Sequence, residues 1–133
     1  MKFYLLIALG IILTSCDPGL SIEIINQTDS NAQVIWDFKQ GNKKSHYKFD
    51  KLFSNHTNQR IDKVNPLDTV YHSFGLGTWE LNNNLDSLAY NIDQITLKTK
   101  NSTINYKGFY QVKSYLKSTI NDSPKSTISI LLK

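Results

Sequence analysis

Alternation of apolar and polar residues is the feature of this sequence that most restricts its fold. Leu20, Ile22 and Ile24 alternate with Ser21 and Glu23. Successive side chains of a β-strand point to opposite faces, so this alternation predicts a strand with one buried face. The chain has six such segments: 20–26, 32–38, 69–74, 92–99, 102–107 and 127–132. A seventh, weaker strand is predicted over 45–53.

Clusters of turn-forming residues separate these segments and predict how they pair. The polar stretch 26–31 predicts a β-hairpin that joins the first two strands, and Lys100-Asn101 predicts a second hairpin between 92–99 and 102–107. Asn65-Pro66-Leu67-Asp68 predicts a turn, and Gly75-Leu76-Gly77 predicts a tight loop that ends a strand. The segment 55–63 is polar and predicts irregular structure.

Two segments have helical rather than strand periodicity. Leu81, Leu85, Leu88 and Ala89 fall on one helical face and predict a short helix over 79–90. Phe109, Val112 and Leu116 predict a second short helix after Gly108.

Strands that outnumber helices, joined by short turns, favour a mainly β fold. We expect an antiparallel β-sandwich-like domain with one or two short helices. The alternative is an α+β fold in which both helices cover one face of an antiparallel sheet. The chain has 133 residues, and 118 remain after a 15-residue N-terminal segment is subtracted, which is enough for one domain, 16–133.

The N-terminal segment 1–15 has the organisation of an export signal. Lys2 gives a positive start, and an apolar run of 11 residues, 3–13, follows it. This run is too short to span a bilayer, which takes roughly 20 apolar residues. We therefore interpret the segment as a signal peptide rather than a transmembrane helix.

The end of the signal resembles the lipobox of bacterial lipoprotein precursors. Leu13-Thr14-Ser15-Cys16 has leucine three residues before the cysteine and a small residue directly before it, and Cys16 is the single cysteine of the chain. The resemblance implies cleavage before Cys16, diacylglycerol on its thiol and acylation of the new amino terminus. It also implies a lipid-anchored protein that faces the periplasm or the cell exterior, on either the inner or the outer membrane.

Residue patterns for catalysis, metal binding or cofactor binding are not apparent. The sequence contains no Gly-x-Ser-x-Gly or Ser-x-x-Lys motif. His46, His56 and His72 fit no zinc-binding spacing, and His72 shares strand parity with core positions, which favours a hydrogen-bonded structural histidine. The sequence thus predicts neither a metal site nor a cofactor. Several acids fall at predicted turns or element margins, where capping or turn formation explains them: Asp29, Asp62, Asp68, Asp86 and Asp93.

Two tryptophans are candidates for recognition. Trp36 lies on the apolar face of its strand, which favours the core. Trp79 lies at a loop-to-helix junction, and we expect it to be the more exposed, as a weak candidate for an aromatic binding anchor.

Taken together, the sequence favours a non-enzymatic lipoprotein of the cell envelope that binds or supports a protein partner. The alternative is an immunity or inhibitor lipoprotein directed against a toxin or hydrolase, and a small enzyme is a third hypothesis. Basic residues are interspersed with acids at a formal net charge of +4, which does not indicate nucleic-acid binding.

Overall fold

Seven strands and two α-helices make up the described part of the chain. The computed structural model describes residues 18–39, 58–122 and 125–133, together with Phe49 and Leu52. The strands are β1 (Gly19–Asn26), β2 (Ala32–Phe38), β3 (Gln59–Val64), β4 (Thr69–Leu76), β5 (Ile92–Lys98), β6 (Thr103–Lys107) and β7 (Thr127–Leu132). A 3₁₀ turn, Leu81–Asn83, leads into α1 (Asn84–Asn91), and α2 spans Phe109–Ser118. The predicted mainly β fold is confirmed.

The strands form two sheets. One has three strands in the order β4-β1-β7, and the other has four in the order β3-β2-β5-β6. All neighbours are antiparallel except β1 and β7, which run parallel. The arrangement is β-sandwich-like, as expected, but not wholly antiparallel. Helix α2 connects β6 of one sheet to β7 of the other, and β7 runs in the same direction as its neighbour β1.

Alternation along the strands produces the core between the sheets. β1 and β2 bury every second residue, including Ile22 and Trp36, which are fully buried. Val112 and Leu116 of α2 and Leu88 of α1 are fully buried in the same cluster. Each of these side chains contributes roughly 1.5 to 3 kcal/mol through its removal from water.

The predicted hairpin between β1 and β2 is wrong, although both strands are present. The two strands lie in different sheets, and the connection crosses from one sheet to the other. The buried amide of Asn26 fixes this crossing: its Nδ2 donates to the carbonyl oxygens of Ser30, Val64 and Asn65, and its Oδ1 accepts from Thr28. Both strands thereby bury their apolar faces against each other instead of pairing edge to edge.

The region between β2 and β4 also departs from the prediction. The segment 55–63 was expected to be irregular, but β3 begins at Gln59, and its inward position Asp62 breaks the apolar alternation. Phe49 and Leu52 are the described residues of the predicted strand 45–53, and both have helical backbone. The remainder of that predicted strand lies outside the described residues.

The remaining local predictions are confirmed in part. β5 and β6 form the expected hairpin, in which Leu97 lies opposite Ile104. Both helices form: α2 begins at Phe109, as predicted, whereas α1 begins at Asn84 rather than at Trp79, after the 3₁₀ turn Leu81–Asn83. The predicted loop 75–77 is displaced, because β4 continues through Gly75 and Leu76, and Leu76 pairs with Gly19. The chain leaves the sheet at Gly77, and Gly75 and Gly77 have φ values of 93° and 134°, which glycine adopts with little strain.

Candidate functional site

The unequal strand counts of the two sheets leave strand β6 only partly covered: Tyr115 of α2 packs on Tyr106, whereas Ile104 meets solvent. Ile104 and Tyr106 of β6 pair with Leu97 and Ile95 of β5, so all four side chains share the inner face of the four-stranded sheet. Leu97 is 6% exposed, whereas Ile104 is 46% exposed. An apolar side chain that points to the inner side of a sandwich and still meets solvent marks a gap in the packing.

The gap is an open cleft of about 850 Å³ between the β5–β6 hairpin, the end of α2 and β7. We call it the β6–β7 cleft. Its apolar walls include Leu97, Ile104, Ile120 and Leu132. Hydroxyl groups contribute to the lining through Thr99, Ser102, Ser118, Thr119 and Ser129. Mostly apolar surface with a few polar groups, at this volume, is typical of binding sites.

A stacked pair of tyrosines forms one end of the cleft. The rings of Tyr106 and Tyr115 are parallel within 10°, with centroids 3.9 Å apart. Burial raises the pKa of Tyr115, and the nearby Tyr106 raises it further. The Tyr115 hydroxyl therefore stays protonated at physiological pH and is available as a hydrogen-bond donor.

A basic depression adjoins the cleft. Lys63, Lys98 and Lys100 line a second space of about 640 Å³, and Thr99 belongs to both linings. Within the described ranges, no carboxylate forms an ion pair with any of these three lysines. The depression is therefore a local concentration of positive charge.

The basic depression lies at the end of the sandwich remote from Pro18, and the cleft runs along β7 from Ser129 toward that end. The carbonyl of Pro18 accepts from the Gly77 amide at the beginning of β1, whereas Asn26 at the end of β1 is in register with Leu132, which lines the cleft. The eight residues of β1 span roughly 25 Å at about 3.3 Å per residue.

A buried carboxylate connects the two sheets at the opposite side of the sandwich. Asp62 Oδ2 accepts from Trp36 Nε1 at 2.7 Å and lies 2.9 Å from His72 Nε2, and Asp62 Oδ1 accepts from Arg60 Nε at 3.0 Å. Burial alone would raise the pKa of Asp62, but the hydrogen bonds and charges of His72 and Arg60 outweigh it and hold this pKa below its usual value. We call these four residues the Asp62 clasp.

The Asp62 clasp is satisfied within itself. Both carboxylate oxygens are engaged, and among the described residues no buried side-chain nitrogen or oxygen lacks a partner. A buried, fully paired carboxylate is typical of a structural contact. The sequence placed His72 correctly, but it assigned Asp62 to an element margin, because neither its burial nor its partners are visible in local sequence.

Trp79 is not an exposed binding anchor, and that prediction is wrong. Its side chain is fully buried, its ring stacks on Phe49 at 5.7 Å and meets Phe74 edge-on, and its Nε1 donates to the Ser21 carbonyl at 3.1 Å. The junction after Gly77 turns Trp79 inward, where its polar atom finds a partner at the start of β1. Trp36 is buried, as predicted.

The other candidate residues can be placed as follows. Cys16, the predicted lipidation site, lies outside the described residues, as do His46 and His56. In the described part of the chain, no three His, Cys, Asp or Glu side chains cluster closely enough to hold a metal ion. Neither described helix has the length and apolar character that a bilayer crossing requires.

Comparisons of the chain with protein-family models, with curated proteins and with solved structures gave no match.

Proposed function

We propose that the chain is a lipid-anchored protein of the bacterial cell envelope whose β-sandwich-like domain binds a protein partner at the β6–β7 cleft. The anchor is the diacylglycerol expected on Cys16. The role is non-enzymatic, since binding requires only a complementary surface. The observation that supports the proposal is the half-exposed Ile104 on the inner face of the sandwich.

The position of the cleft favours a partner away from the membrane. One residue, Asp17, separates Cys16 from Pro18, and the two residue steps between them span at most about 7 Å. A lipid on Cys16 would hold the Pro18 end of β1 next to the bilayer. The end of the β6–β7 cleft at Thr99 and Leu132 would then face away from the lipid, toward soluble proteins or the exposed parts of other membrane proteins.

The polar chemistry of the domain also favours binding over catalysis. The strongest candidate for acid–base chemistry is the pair Asp62 and His72, but this carboxylate is occupied by three donors. Its position between two edge strands gives it a role in joining the sheets. The cleft instead offers apolar area, together with hydroxyl oxygens that can accept hydrogen bonds, and this combination suits recognition.

In-cell crosslinking followed by affinity purification and mass spectrometry tests the proposal. Two isoleucine variants form a matched pair, because Ile104 and Ile61 are both 46% exposed and Ile61 lies on β3, outside the cleft. We expect one dominant partner, which is lost with Ile104→Glu and retained with Ile61→Glu. Equal recovery from both variants, or no enriched partner, would contradict the proposal.

The anchor requires its own variant. Cys16→Ala is expected to release the protein from the membrane fraction or to block its maturation, and an unchanged membrane fraction would argue against lipid anchoring. The identity of the captured partner decides between the two binding roles. A toxin or hydrolase would favour an immunity or inhibitor protein, and an envelope component would favour an assembly or support role.

A further inference from the structure

We infer that the partner enters the β6–β7 cleft as an extended segment that adds a fourth strand to the three-stranded sheet, beside β7. This inference rests on the proposed function, because it names the chemistry of the partner at the same site. The apolar walls alone would accept many ligands. The backbone of β7 narrows the choice to a polypeptide.

One edge of β7 has free backbone groups. The carbonyls of Ser126 and Leu132 accept from the amides of Ser21 and Gln27, so the even-numbered residues of β7 bond to β1. The odd-numbered residues point the other way: the Thr127 carbonyl accepts from Asn121, and the Ser129 amide donates to Thr119. Beyond this point the same edge presents the Ser129 carbonyl and both backbone groups of Leu131, which bond to no described residue.

Residues 119–121 already show how a chain pairs with this edge. Ile120 lies two residues after the end of α2 and forms an antiparallel bridge with Ile128. An incoming segment would continue along the edge where this bridge stops. In the antiparallel orientation, one of its residues would exchange two hydrogen bonds with Leu131.

The cleft is the place where such a strand would lie. The three-stranded sheet ends at β7, whereas the facing sheet extends one strand further, to β6. A strand added about 4.8 Å from β7 would lie about 10 Å from the facing sheet, which is the usual spacing of a sandwich. It would cover Ile104 and give both sheets four strands.

Side-chain alternation then specifies the segment. The residue opposite Leu131 would point to the outer face of the sheet, and its two neighbours would point inward toward Ile104 and Leu97. These neighbours should be apolar. A continuation past Thr99 would enter the basic depression beside Lys98 and Lys100, which form no ion pair with a described residue, and this favours acidic residues at that end of the segment. Addition of a strand to an exposed sheet edge is an established mode of peptide recognition.

The test uses full-length protein purified in detergent and a random twelve-residue peptide library displayed on phage. We expect the selected peptides to share an apolar-x-apolar core with an acidic flank. Affinity is then measured for the wild type, Leu131→Pro and Leu131→Ala. Proline removes the outward amide, which β1 does not use, whereas alanine keeps it. Proline should weaken binding about tenfold, and alanine should change it less than twofold.

Amide hydrogen exchange provides a second measurement on the wild type. Bound peptide should slow exchange at Leu131, and thermal unfolding of both variants verifies that the domain folds. The inference is overturned if no peptide is enriched, or if Leu131→Pro and Leu131→Ala bind the peptide with equal affinity. It is also overturned if bound peptide does not slow amide exchange at Leu131. The proposed function fails separately, when Ile104→Glu leaves in-cell capture of the partner unchanged.

Discussion

His72 Nε2 lies 2.9 Å from Asp62 Oδ2, and this contact joins edge strand β4 of one sheet to edge strand β3 of the other. The carboxylate is 6% exposed, and the histidine side chain is 13% exposed. A polar contact therefore joins the two sheets at the side of β3 and β4, whereas the β6–β7 cleft separates them at the other side.

Acid should weaken the fold through Asp62. Because the pKa of Asp62 is lower in the folded state than in the unfolded state, its stabilisation is present above the unfolded value of about 4. It is lost as the pH falls through the folded value. Urea unfolding between pH 7 and pH 2 should show this loss in the wild type and not in Asp62→Asn. At pH 7 the free energy of unfolding of Asp62→Asn should be about 3 kcal/mol lower than that of the wild type, because the amide pairs imperfectly with Trp36 and His72. Asp29→Asn changes an exposed residue and should retain the wild-type pH profile.

The crossing between the sheets should depend on one amide. Asn26→Ala removes the three hydrogen bonds that the amide donates to the carbonyls of Ser30, Val64 and Asn65. The Ser30 carbonyl still accepts from Thr28, and the Asn65 carbonyl still accepts from the Asp68 amide. We expect the free energy of unfolding to fall by about 2 to 4 kcal/mol. Chemical denaturation measures the loss, and Asn31→Ala, at an exposed position, serves as the control. If Asn26→Ala lowers the free energy of unfolding no more than Asn31→Ala does, the side chain of Asn26 does not stabilise the connection between the sheets.

Substitution of Trp79 should affect stability rather than binding. Trp79→Ala opens a cavity beside Phe49 and Phe74 and should cost about 3 to 5 kcal/mol. Trp79→Phe keeps an aromatic ring and should cost less, chiefly the hydrogen bond to Ser21. Thermal unfolding ranks the stabilities of these two variants. Below its melting temperature, Trp79→Phe should bind the selected peptide with an affinity within about twofold of the wild type. A large loss of affinity in folded Trp79→Phe would restore the recognition role for this residue.

The basic depression should make binding sensitive to salt. Replacement of Lys98 and Lys100 by serine should weaken an acidic-flanked peptide by about threefold per lysine at low ionic strength. The difference should vanish near 1 M salt, where the Debye length is about 3 Å. Lys107→Ser, on β6 and outside both linings, is the control. Equal losses in all lysine variants would indicate a general charge effect rather than a local contact.

Local sequence predicted most of the strands, and the reasons for its failures are physical. β1, β2 and β7 bury every second residue, so their alternation is visible in the chain. β3 was not predicted because Asp62 occupies an inward position, and only its partners on β2 and β4 make that burial tolerable. The pairing of β1 was mispredicted because alternation shows which face is buried, not which strand lies beside it.

The candidate site could not be predicted from the sequence. The β6–β7 cleft arises because one sheet has three strands and the other four, a count that depends on long-range pairing. The sequence pattern around Ile104 is that of a buried residue. Its exposure follows from the fact that β7 is the last strand of the facing sheet, so that no further strand covers Ile104. Trp79 shows the opposite error, since a junction that resembles a surface loop places the ring inside the core.

The parallel pairing of β1 with β7 determines when the domain can fold during synthesis. Ser21 and Thr127 lie 106 positions apart in the chain and are hydrogen-bonded to each other in the sheet. β1, at the centre of its sheet, cannot complete its ladder until β7 has left the ribosome. Contacts this distant slow folding. For a protein that we propose is exported, this delay would keep β1 unpaired with β7 until residues 127–132 have been synthesised.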